Sequence, residues 1–419
     1  MAAVVVLLVA VAGGVTWLVR ASGEGGPVAN PTTAYTYAAN PAIAAMNSAA
    51  AERDAAKDKV KTTIGDAMSA QSAALLAGDR AAFTGLADAD AKLVAPWLSE
   101  RFTSLRAMGI AQWSTTVASI TEWGTQRWQA NVDVDYCFVA PCGRPLRQSL
   151  HTMWYLGDPT GPKLTEIYPG RSGRTSPPWT QSVLQARSGS RVIVASTAAN
   201  AGRLAGALAE AEAAAQVADR FAGTARPGKY VIYLAGKTEW GKWPYGDEGN
   251  WVAGYAQEET ESVVVKLSAL HLIPMKALLR HELTHVASLA GQSDEVKRAD
   301  SWWLTEGLAE YAISGGSPYS AYPRKAETSA FVKTKWSGDL RVGEPASKTS
   351  ARDASARYGT AYLGVGCLFQ TYGPEKALAF VHEVAVEADS LTTAATRALG
   401  TSWSAVGSTC AARIRSTAK

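Results

Sequence analysis

Two histidines one helical turn apart constrain this chain more than any other feature. His281 and His285 lie in LLRHELTHVASLAG, residues 278–291, and the whole chain has only five histidines. Pro274 suits a first helical position and Gly291 a C-cap. Between them Met275, Leu279, Leu283, Val286 and Ala290 fall on one stripe that must face a core. The two imidazoles share a neighbouring face, where side chains at i and i+4 can converge on one ion, and Glu282 points to the side. Two ligands do not hold a metal, so a second element must supply a third. SWWLTEGLAEYAISGG, residues 301–316, predicts that element as a helix ending near Gly315, with Glu306 and Glu310 four residues apart. A helical hairpin would bring Glu306 to the ion. Glu310, one turn away, could then accept the outer N–H of a ligating histidine. Glu306 and Glu310 on an ordinary solvated face is the competing reading. The flanking Trp302, Trp303, Leu304 and Leu308 oppose it, because a partly buried carboxylate needs a partner.

HELTH, twenty intervening residues and then Glu306 inside WLTEGLAEY resemble the gluzincin peptidases. The likeness is closest to the branch related to aminopeptidase N and its peptidase-MA-like relatives, and it covers about residues 190–415. It implies Zn²⁺ held by His281, His285 and Glu306, with Glu282 as the base that activates water and Glu310 supporting a ligand. ARYGTAYLGVGCLFQTYGPEKALAFV, residues 356–381, resembles the family's helix that carries an oxyanion tyrosine; Tyr358 matches that place and Tyr362 matches it less well. A core aromatic with a satisfied hydroxyl is the other reading of Tyr358. ESVVVKL, residues 261–267, resembles the edge strand that pairs with an extended peptide. One departure matters: nothing like the aminopeptidases' glycine-x-methionine-glutamate-asparagine phrase precedes His281, and GYAQEETES, residues 254–262, occupies the nearest place. Aminopeptidase specificity therefore does not transfer.

The rest of the chain divides by composition. AAVVVLLVAVAGGVTWLV runs from Ala2 to Val19 without a charge and is closed by Arg20, which predicts a transmembrane or signal-anchor helix over 1–20. A cleaved signal, and hence a secreted protein, is the alternative. Residues 21–46, rich in Gly, Pro, Ser and Thr, predict a flexible stalk. Residues 47–170 start Ala-rich and helical, break at Gly78, and continue as period-two stretches such as WSTTVASITEW and RWQANVDVDYCFV. With the phrase LLAGDRAAFTGLAD, that order resembles the cone-shaped domains similar to nuclear transport factor two. His151 falls in a strand pattern as a satisfied structural histidine. Residues 171–187 predict a linker and 188–419 the peptidase-like region, so the fold class expected is α+β.

Four cysteines fit an oxidising compartment. Cys137 and Cys142 flank a Pro-containing turn that a disulfide can close, and Cys367 with Cys410 is the remaining pair, one of three possible connectivities. A net charge of +4 spread over 419 residues does not point to nucleic acid. The expected protein is thus a membrane-anchored, extracytoplasmic zinc peptidase acting on a peptide or protein. A zinc-stabilised scaffold without turnover, whose N-terminal domain binds a ligand or partner, is the competing class. Glu282 disfavours it, because a scaffold needs the ligands but not the base.

Overall fold

The structure is a computed structural model that describes residues 10–11, 14–15 and 41–419, apart from 170–175, 224–225, 244–251, 258–259, 291, 293–300, 316 and 347. The chain divides into residues 1–56 and 57–419. In the first unit β1 (Ala10–Val11) pairs antiparallel with β2 (Gly14–Val15). The helix expected over residues 1–20 is not seen at those four positions, and the remainder of the apolar run lies outside the described residues. Among the described residues no helix is long and apolar enough to cross a membrane. Helix α1 (Pro41–Ala77) begins inside the segment expected to be a stalk.

In the second unit α1 ends where expected: Gly78 takes a φ of +80°, and the Asp79 side chain caps α2 (Arg80–Thr84) through the Ala82 N–H at 3.0 Å. Helix α3 (Val94–Ala107) follows, and then an antiparallel meander of β3 (Gln112–Gly124), β4 (Arg127–Cys137), β5 (Leu146–Tyr155) and β6 (Lys163–Pro169). Alternate burial along β4 and β5 marks one face turned to the core, where Ile64, Met68 and Leu75 of α1 meet Val132, Val134 and Trp154. His151 stacks on Tyr168 with ring centroids 5.5 Å apart, but its buried Nδ1 has no hydrogen-bond partner among the described residues. The expectation that this histidine is satisfied is therefore corrected.

The second sheet has the order β10–β11–β9–β8–β7, built from β7 (Gln185–Ser188), β8 (Val192–Ser196), β9 (Tyr230–Ala235), β10 (Gly254–Gln257) and β11 (Ser262–Lys266). Its three central strands are parallel, and both edge strands run antiparallel to their neighbours. Helix α4 (Leu204–Ala218) makes the crossover from β8 to β9. The short helix α5 (Lys237–Lys242) follows β9. Both faces of this sheet are covered. Val192, Val194, Ile232 and Val263 pack under α4 and under α6 (Met275–Ser288). Ile193, Ala195, Val231, Tyr233 and Val264 belong to the same apolar cluster as the first sheet. Double burial is why these strands read as unbroken apolar runs.

It also corrects the expectation that ESVVVKL lies at the sheet edge. Ser262 to Val265 are fully buried between two neighbours, and β10 is the edge. The segment expected to be a linker is packed over its second half, where Trp179 is 1% exposed and lies edge-on to Trp113 and Tyr136.

The remaining chain is helical: α7 (Trp302–Ser314), α8 (Lys325–Thr334), α9 (Ala351–Tyr372), α10 (Pro374–Ala385), α11 (Leu391–Ala394) and α12 (Trp403–Thr417). They enclose a core around Trp303, Leu308, Val365, Leu368, Phe380 and Ile414. Disulfides join Cys137 to Cys142 and Cys367 to Cys410, the pairing expected.

Candidate metal centre

Helix α6 starts at Met275, one residue later than expected, with Pro274 as the N-cap rather than the first helical residue, and stops at Ser288 with Leu289 as its C-cap. The expected cap Gly291 lies outside the described residues. Leu279, Leu283 and Val286 are fully buried and Ala290 nearly so, which anchors one face of α6 on the sheet. Met275 is only partly buried at the end of that stripe. This anchoring turns His281 and His285 toward α7. That helix ends at Gly315 in the left-handed conformation, the position expected of it.

Three side chains meet between the two helices. His281 Nε2 lies 3.1 Å from Glu306 Oε2, His285 Nε2 lies 3.2 Å from His281 Nε2, and His285 Nε2 lies 3.5 Å from Glu306 Oε2. Among the described residues this is the one group of three or more His, Cys, Asp or Glu side chains placed to share an ion. The fit to zinc can be tested on the triangle itself. Ligand atoms about 2.0–2.1 Å from a tetrahedral ion stand roughly 3.3–3.4 Å from one another. The three edges bracket that spacing. Two imidazole nitrogens at 3.2 Å can share only one hydrogen, whereas a cation satisfies all three lone pairs. The donor set of two nitrogens and one carboxylate oxygen suits zinc.

The electrostatics favour an ionised carboxylate. Burial pushes the Glu306 carboxyl up, but the imidazoles of His285 and His281 outweigh it and hold the group well below the usual carboxylate range. Burial opposes protonation of His281, but its hydrogen bond to Glu306 together with the charges of Glu306 and Glu282 outweighs this and shifts it upward.

Glu282 adjoins the triangle, and only 7% of it is exposed. Glu310 is 2% exposed and presents Oε1 to His281 Nδ1 at 3.7 Å, facing it yet just beyond hydrogen-bond reach. Tyr358 stands beside the site, its ring centroid 6.4 Å from that of His281 and 5.1 Å from that of Trp302. Burial first, and then the carboxylates of Glu306, Glu282 and Glu310, push its hydroxyl upward, so the phenol keeps its proton. Tyr362 instead stacks on Tyr322 with centroids 4.2 Å apart.

Close helix packing brings Tyr358 this near. A Cβ on Gly307 would lie 2.5 Å from the Ala361 carbonyl oxygen, and one on Gly359 would lie 1.8 Å from Thr328 Oγ1. Glycine at both positions lets α9 approach α7 and α8.

Two neighbours of the site were not anticipated from sequence. The Tyr322 hydroxyl donates to Glu310 Oε2 at 2.5 Å, and Arg324 reaches both Glu310 oxygens at 3.4 Å. The only available signal was the burial of Glu310 itself, which requires partners without naming them.

No protein-family model and no curated protein sequence matches the chain. Solved structures similar to it include an M1 zinc metallopeptidase from Deinococcus radiodurans, at 16% identity over 72% of this chain and 62% of that one, with a TM-score of 0.36. Yeast LTA4 hydrolase is similar at 13% identity over 66% of this chain and 54% of the other, with a TM-score of 0.33. The chain thus spans about 62% of the length of the M1 structure.

Proposed function

We propose that this protein is a zinc-dependent peptidase, with His281, His285 and Glu306 holding the ion. The ligand triangle of 3.1, 3.2 and 3.5 Å carries this reading. Zinc bound there would lower the pKa of a water and polarise the scissile carbonyl. Glu282 leaves α6 about 100° around from His281, so it stands beside the ligand set without joining it. Its carboxylate takes a proton from the attacking water and passes it to the leaving amine. The protonated Tyr358 hydroxyl donates to the oxygen that gains charge as the carbonyl is attacked. The ligand-facing carboxylate of Glu310 orients His281. An extended peptide would pair with β10, the edge strand, in place of the segment 261–267. GYAQEETES, residues 254–262, stands where the aminopeptidases grip a free amine, so aminopeptidase specificity is not part of the proposal. The apolar run of residues 2–19 supports an anchor that holds the catalytic region outside the cytoplasm, and residues 47–170 act as its accessory region.

Glu282→Gln tests the chemistry. It keeps size and hydrogen bonding but removes the basic carboxylate. Against a substrate found by screening a peptide library, activity should fall about 10²–10⁴-fold with zinc content retained. His285→Ala should lose metal and activity together. A Glu282→Gln protein as active as wild type would reject the mechanism.

A further inference from the structure

We infer that Tyr322 and Arg324 are positioning residues that hold Glu310 against His281, and that Arg324 ties this support to Tyr358. The inference rests on the zinc-site reading and deepens it. The Glu310 carboxylate is nearly sealed from solvent, and an unpartnered carboxylate in such a place is costly. Besides His281, it has two partners from outside its own helix among the described residues. The Tyr322 hydroxyl donates to Oε2 at 2.5 Å. The Arg324 guanidinium approaches the same carboxylate along both oxygens, Nε 3.4 Å from Oε2 and Nη2 3.4 Å from Oε1. Oε1 is the oxygen that faces His281 Nδ1. Fixing the other oxygen with Tyr322 and neutralising the group with Arg324 therefore sets where Oε1 points, and so how the His281 ring is turned.

The two residues are themselves held in place. Tyr322 stacks on Tyr362 of α9 with rings only 10° from parallel, and on Tyr319 at 6.1 Å. Arg324 is the residue immediately before α8, and its carbonyl accepts from both the N–H and the hydroxyl of Thr328. From there its guanidinium carbon lies 5.3 Å from the Tyr358 ring centroid, and Nη1 lies 3.4 Å from Ser355 Oγ, one turn earlier on α9. A cation over the face of a tyrosine holds the ring as well as the charge. One arginine thus contacts the carboxylate behind a candidate ligand and the aromatic ring of the candidate oxyanion donor. Arg324 and Tyr322 touch none of the three ligand atoms and act through Glu310 and Tyr358.

The test uses the full chain, with zinc affinity measured by chelator competition and visible absorption recorded on the cobalt(II)-loaded protein. Tyr322→Phe removes one hydroxyl and keeps the stacked ring, so folding should be retained. It should weaken zinc binding about 10-fold, and Arg324→Gln about 10–100-fold. Both should shift the cobalt bands, which respond to ligand orientation. In a Glu310→Gln background each substitution should add less than about threefold, because residues acting through one carboxylate are not additive. Unchanged zinc affinity and an unchanged cobalt spectrum in Tyr322→Phe would overturn the inference. Full additivity with Glu310→Gln would overturn it too, by showing a structural effect that bypasses that carboxylate. Either result leaves the zinc-site reading intact provided wild type binds zinc and His285→Ala does not. A wild type that binds no zinc removes both.

Discussion

At the scale of single residues, the site depends on side chains whose burial forces them to be partnered. Glu306 is ionised because two imidazoles face it, and Glu310 is tolerated in the core because a phenol and a guanidinium do. Tyr358 differs from both, being a donor kept neutral first by burial and then by its carboxylate neighbours. If it serves the charged oxygen of the reaction, Tyr358→Phe should lower kcat about 10²–10³-fold and leave KM and zinc content nearly unchanged. Steady-state kinetics with metal analysis decides the point; equal kcat would return Tyr358 to the role of a core aromatic. The histidine pair and its following glutamate were legible from sequence because the i, i+4 relation is local helix geometry. Tyr322 and Arg324 were not, because their approach to Glu310 depends on a chain reversal between α7 and α8 that leaves no periodic signal.

At the scale of elements, the decisive contact is between α7 and α9. Gly307 follows a candidate ligand directly, and its missing side chain admits the backbone of α9 at Ala361. Gly307→Ala meets a backbone atom that cannot swing aside, so α9 must shift. Overpacking of this kind costs about 1–3 kcal/mol. The denaturation midpoint should drop accordingly, and kcat should fall because Tyr358 rides on α9. An unchanged midpoint would mean that the helices are not held this close. The second sheet shows a different limit. Its strands were recognisable as apolar runs, but their order was not. A run buried on both faces looks the same at an edge and in the middle, and only pairing with β9 and β10 places β11 inside.

For the molecule as a whole, the apolar cluster of the first sheet continues beneath the second, through Trp179, Leu184, Trp240 and Trp243. Trp179 and Leu184, from the stretch assigned by composition to a linker, are part of that shared core, since Pro and Ser enrichment reads the same in a loop and in a packed turn. The helical half has a covalent tie of its own. Cys367 on α9 and Cys410 on α12 are 2% and 0% exposed and stand 43 positions apart. Closing a loop of that size removes enough chain entropy from the unfolded state to contribute about 4 kcal/mol. Replacing both by Ala should lower unfolding stability by about that much in an oxidised sample, as measured by urea titration. Identical midpoints would show that the bridge does not constrain the unfolded chain.

By itself the sequence determined the two site helices, the carboxylate and imidazole spacing along them, the helix break at Gly78 and the α+β character, because each follows from periodicity or from one residue's backbone preference. Only the tertiary structure decided which strand lies at the edge, that the two sheets share a core, and that Tyr322 and Arg324 stand behind Glu310. Those depend on contacts between segments far apart in the chain, where many partners satisfy the same local pattern and packing selects one.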